Sequence, residues 1–148
     1  MKLNSKNVEE VTEYAKDVTW EKNFTLYSDQ LFVTANQNRR LDRLRDQVEW
    51  VVSDSPLLLS IHYATPDYLP KTFNNLIYEL WDTYDNYNFF INRNKPYVKI
   101  GRSQTHEEAI NIDVKIRDML DKKNINYINI EGGVTAGAEI YHAIFGDS

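Results

Sequence analysis

Residues 87–130 read YNFFINRNKPYVKIGRSQTHEEAINIDVKIRDMLDKKNINYINI, and this stretch decides the fold. Two short apolar runs bracket it, Tyr87-Asn88-Phe89-Phe90-Ile91 and Ile125-Asn126-Tyr127-Ile128-Asn129-Ile130. Their aromatic and β-branched side chains suit a pleated, half-buried surface, so both read as strands. Between them Thr105-His106-Glu107-Glu108 has the form of a capping box, a hydroxyl at the helix start with a carboxylate three residues on. Ala109, Ile112, Ile116, Met119 and Leu120 follow at helical spacing, and Lys122-Lys123-Asn124 puts cations at the negative end of the dipole. Strands joined through a helix of more than ten residues are set parallel by the crossover.

Working outward, the alternation continues. Residues 8–13 read as a strand. Tyr27, Leu31, Ala35, Leu41, Leu44 and Val48 recur at near-helical spacing and predict a helix over 26–47, with Arg39, Arg40, Asp42, Arg43, Arg45 and Asp46 on its solvated face. Residues 48–53 read as a strand ended by Asp54-Ser55-Pro56. Phe73, Leu76, Ile77, Leu80, Trp81 and Tyr84 make a helical stripe, with Pro70 near the first turn where its missing N–H costs little. Gly132-Gly133 turns the chain into a last helix over about 135–145. The expected fold is α/β, three layers with a mainly parallel sheet of about four strands flanked by helices. No repeat or low-complexity linker interrupts the sequence, so residues 1–148 are expected to form one domain, with a lid-like basic loop at about 93–104.

Composition narrows the function classes. The chain has 148 residues and a formal net charge of −5, which argues against general nucleic-acid binding. No apolar run approaches the ~20 residues of a bilayer span. The first residues lack the apolar core of a secretory signal. Cysteine is absent, which excludes disulfides, thiolate metal sites and a cysteine nucleophile. A cytoplasmic location is expected. His62, His106 and His142 show no zinc spacing, and no serine sits in a G-x-S-x-G turn.

Ligands of parallel α/β sheets sit at the carboxyl ends of strands, which points to Glu13, Asp54 and Asn92-Arg93. Glu13 can accept a hydrogen bond from a substrate hydroxyl or act as a base; alone, it also reads as a carboxylate favoured at a helix start. Asp54 can hold Mg²⁺ through water; alone, it more often reads as a turn cap. Residues 92–104 carry four cations, Arg93, Lys95, Lys99 and Arg102, and no carboxylate. Such a loop can close on phosphate oxygens, or it can be a solvated surface loop. From the arginine-rich helix, Arg40 is the candidate to reach a ligand.

Val11-Thr12-Glu13-Tyr14-Ala15-Lys16-Asp17, Asp29-Gln30-Leu31, Val52-Ser53-Asp54-Ser55-Pro56-Leu57-Leu58 and the 93–104 loop, in that order, resemble small P-loop kinase-like ATP-binding proteins. These are common in bacteriophages and related to the ribosylnicotinamide kinase domain of NadR-type proteins. The resemblance implies that Asp54 stands beside Mg²⁺ and phosphate, that Glu13 faces the acceptor, and that Arg93, Lys95 and Arg102 form a basic lid. The family opens with a central strand and a G-x-x-G-x-G-K-[ST] loop. No glycine precedes Gly101 here, so the cradle and its lysine are missing from these residues. A sheet without its central strand leaves two neighbours with unpaired edges.

Two functions are therefore expected from the resemblance. The first is a degenerate, non-catalytic accessory protein of phage type, needing no cofactor. It would bind a host protein or a nucleotide-like ligand, or pair with itself, and counter-defence is a role it could fill. The alternative is an ATP- and Mg²⁺-dependent nucleoside or nucleotide kinase with Glu13 and Asp54 catalytic.

Overall fold

A computed structural model describes residues 7–14, 29–64, 69–94 and 105–146. The chain divides into two compact units, Met1–Tyr84 and Asp85–Ser148.

In the first unit, β1 (Val8–Val11) pairs in parallel with β2 (Trp50–Ser53), Val8 opposite Trp50 and Val11 opposite Ser53. Val8 and Val11 lie three residues apart, hence on opposite faces of the strand, and both are buried. Burial on both faces is the habit of parallel pairs. The described helices of this unit are α1 (Gln30–Asp42), α2 (Leu59–Tyr63) and α3 (Lys71–Asp82). Its core gathers Leu57, Leu58, Val33, Phe73 and Ile77, the last fully buried. Pro70 stands at the N-cap of α3, one residue before the first turn.

Helix α1 departs from its predicted form twice. It begins where the Asp29 side chain accepts from Phe32 N–H at 3.1 Å and ends at Asp42, short of residue 47. Beyond it, tighter three-residue turns take over: Leu44 N–H donates to Leu41 and Arg45 N–H to Asp42, and Asp46 adopts a left-handed φ of 61°. Arg45 pairs with Asp42 at 3.0 Å and also reaches beyond the turn. Its guanidinium donates to the Thr83 carbonyl and hydroxyl at 3.1 Å each, just past α3, and lies 4.3 Å from the Tyr84 ring centre. The buried face of α1 is also not the apolar stripe of the sequence. Leu31 is 50% exposed, whereas Gln30, Val33, Thr34 and Gln37 are buried.

In the second unit, β3 (Phe89–Asn92) pairs in parallel with β4 (Ile128–Glu131), Phe89 opposite Ile128 and Asn92 opposite Glu131. Helix α4 (His106–Lys122) connects them. Its capping box is formed in both directions: Thr105 Oγ1 accepts from Glu108 N–H at 3.2 Å, and the Glu108 carboxylate accepts from Thr105 N–H at 3.0 Å. Helix α5 (Ala136–Phe145) packs on β4. At the β4–α5 join, Gly132 N–H donates to the Asn92 carbonyl at 3.1 Å, and a Cβ there would stand 2.7 Å from that oxygen. Only glycine admits so close an approach.

The protein is thus α/β with parallel strands, as its strand–helix–strand pattern requires. The four described strands pair as two ladders of two. No described helix is long and apolar enough to cross a membrane.

Candidate ligand-binding site

The carboxyl ends of β1 and β2 open onto one cleft. Glu13, two residues past β1, forms one wall; Ser55 and Pro56, just past β2, form another. Gln30, Val33 and Gln37 of α1 and Leu59, Ser60 and Tyr63 of α2 close it. Its cavity volume is about 20 Å³, enough for a single water-sized group.

Helix α1 clamps the backbone on both sides of Glu13. Arg40 Nη1 donates to the Thr12 carbonyl and hydroxyl, each at 3.1 Å, and its guanidinium lies 5.0 Å from the Tyr14 ring centre. The Tyr14 N–H donates to Gln37 Oε1 at 2.8 Å. The Tyr14 ring also meets Phe32 edge-on, with centroids 5.9 Å apart. Glu13 is therefore held at the mouth by three residues of one helix, and Arg40 contributes by positioning that segment.

The other site residues of the sequence are placed as follows. Asp54 is exposed on the turn after β2, where Ser55 N–H donates to Ser53 Oγ at 3.1 Å. It supplies one carboxylate, the share a Mg²⁺ held mainly by water and phosphate asks of a protein. Among the described residues, no three histidine or carboxylate side chains gather to hold a metal ion. Arg93 is engaged by Asp113 of α4 in a two-pronged pair, Nε–Oδ2 2.5 Å and Nη2–Oδ1 3.1 Å. Lys95 and Arg102 lie outside the described residues. Of the candidates, Glu13 lines the cleft and Arg40 bonds its chain neighbour Thr12 without lining the cleft itself; Asp54 precedes the lining residue Ser55 in sequence.

Two features escaped the sequence reading. One is the buried polar stripe of α1. Its signal was present in Gln30, Thr34 and Gln37 at helical spacing, but the neighbouring Leu31 and Ala35 masked it. The other is Arg117 of α4. It donates to the side-chain oxygens of Asn92 and Asn129, and its guanidinium lies 3.8 Å from the Phe90 ring centre. Asn92 Nδ2 in turn donates to Glu131 at 2.7 Å. The carboxyl end of the β3–β4 ladder is thereby tied into one polar network on α4.

A protein-family model described as an AAA domain matches residues 2–136. No curated protein and no solved structure matches the chain.

Proposed function

The chain belongs to the AAA domain family, within the P-loop NTPase-like proteins, and from that premise we propose that it binds a nucleotide-like ligand without itself transferring a phosphoryl group. One observation carries the reading: the cleft at the ends of β1 and β2 is lined by Glu13, whose chain neighbours Thr12 and Tyr14 are held by α1, and has room for a single water-sized group. Such a cleft grips one ligand group. Phosphoryl transfer asks for more: backbone amides and a lysine around the β- and γ-phosphates, with Mg²⁺ supplying charge neutralisation. The 148 residues contain no glycine-rich G-x-x-x-x-G-K-[ST] sequence to provide them. Loss of one such electrostatic stabiliser typically lowers turnover by ~10²–10³. The kinship with NadR-type kinase domains and a phage role directed at a host protein are parts of this proposal, supported by the order of the sequence segments around Glu13 and Asp54.

The test is titration calorimetry and thermal shift with ATP and NAD-related nucleotides, beside an ATP-turnover assay with Mg²⁺. Binding without turnover is expected. ATP-dependent turnover that disappears in Asp54→Ala would establish the kinase instead.

A further inference from the structure

Two large apolar side chains of α4 stand off its buried stripe. Ile110 is 45% exposed and Val114 60%, one turn apart on the same face. Neither helix formation nor burial accounts for them. β-branched residues rank low as helix formers, and on a solvated face they gain nothing from packing. Glu107, Ile110, Val114 and Arg117 recur at intervals of three, four and three, the spacing of a seam that faces another helix. Glu107 is exposed. Arg117 lies half-buried at the edge of the seam, where two of its N–H groups serve Asn92 and Asn129 and the rest can take a further acceptor.

This seam is complementary to its own reverse. A second copy turned antiparallel about residue 112 sets Ile110 of one helix against Val114 of the other, and Glu107 of one against Arg117 of the other, each twice over. On the flank Asn111 comes beside Asp118 of the other copy and can donate to its carboxylate. The helix dipoles then run oppositely, which favours the pair. A parallel copy would set Glu107 on Glu107 and Arg117 on Arg117, and like charges so placed repel. We infer that this face of α4 is a docking surface for a second copy of the chain, paired antiparallel through Ile110 and Val114 with a Glu107–Arg117 ion pair at either end. A foreign helix would fit only by repeating the same order in reverse. Four apolar side chains make a small interface, so the dimer is weak and reversible. It needs no ligand and stands or falls apart from the nucleotide reading.

The test is made on the full chain without nucleotide. In sedimentation equilibrium the native chain should move from 17.4 kDa toward twice that mass as its concentration rises from about 1 µM to about 1 mM. Val114→Glu should weaken the dimer at least ~10-fold with an unchanged melting temperature, because the side chain it replaces is exposed. Lys115→Glu, an exposed neighbour off the seam, should leave the dimer intact. The chain contains no cysteine, so single introduced thiols report the geometry. Asn111→Cys copies meet beside the two-fold axis and should be joined by a short bismaleimide. Asp118→Cys copies lie about 18 Å apart along the helices and should not be joined. A native chain that stays monomeric over the whole range, a dimer that Val114→Glu leaves as tight, or cross-linking of both thiols alike each overturns the inference.

Discussion

Gly132 sits where the end of β4 passes the end of β3, and it gives the sharpest test of how the second unit is built. In Gly132→Ala the new methyl would lie 2.7 Å from the Asn92 carbonyl oxygen, with the Asn94 side chain at 3.2 Å. The nearer neighbour is backbone of a strand already bonded to β4, so it cannot swing aside as a side chain would. The chain must open at the join, losing the 3.1 Å Gly132 N–H to Asn92 bond. Overpacking of this kind costs about 1–3 kcal/mol. The lost hydrogen bond adds about 0.5–1.5 kcal/mol. A destabilisation of about 2–4 kcal/mol corresponds to amide exchange roughly 30- to 700-fold faster in cooperative opening. Hydrogen exchange across Ile128–Glu131 is the assay of choice, because all three tryptophans, at 20, 50 and 81, belong to the first unit and fluorescence would not see the change. Gly137→Ala is the control. It lies in α5 with nothing within 4 Å of a built Cβ, and should stabilise by about 0.5–1 kcal/mol. Exchange in Gly132→Ala within twofold of native would refute the close-approach argument.

Thr105→Ala removes one half of the α4 capping box and should cost about 1 kcal/mol, read as a lower urea midpoint at unchanged slope. Arg117→Met removes the guanidinium from the Phe90 ring and strips the donors from Asn92 and Asn129; about 1.5–3 kcal/mol should be lost, seen as faster exchange in both strands of that ladder. Ile77→Ala, at a fully buried position, should lower stability by about 2–5 kcal/mol in thermal unfolding followed by tryptophan fluorescence. Burial raises the phenols of Tyr78 and Tyr84 above their ordinary 10.0, against a lowering pull from Arg45 at Tyr84. The folded chain then keeps these protons at pH values where the unfolded chain has released them. Their contribution is complete below about pH 10 and is lost as pH rises through the folded values. The urea midpoint should fall above about pH 10 while tyrosinate absorbance rises, and a midpoint that rises there would contradict the sign.

Where local rules acted alone, the sequence was a sound guide. The capping box at Thr105 and the Pro70 start of α3 lie where residue chemistry put them, and the four described strands overlap the runs read for them, the last starting three residues later at Ile128, because a cap or a β-branched run acts through its own neighbours. Elements governed by distant partners were harder. Helix α1 stops at Asp42, and just past it Arg45 pairs locally with Asp42 and also reaches Thr83 and Tyr84, partners that no window around residue 45 contains. Glu13 was legible from the strand-end rule, but Gln37 was not, since an amide becomes meaningful only once Tyr14 fixes its orientation. Arg93 illustrates the same limit: its pairing with Asp113 spans twenty residues and turns a loop cation into a brace on α4.

The polar lining of α1 has an evolutionary side. A saturation library over residues 30–42 would come out inverted from what hydropathy teaches: Leu31, with half its surface in water, would accept lysine or glutamate, while Gln37 would admit almost nothing of another shape. Variation along this helix would then trace the demands of whatever it touches from within, and drift freely on the greasy side.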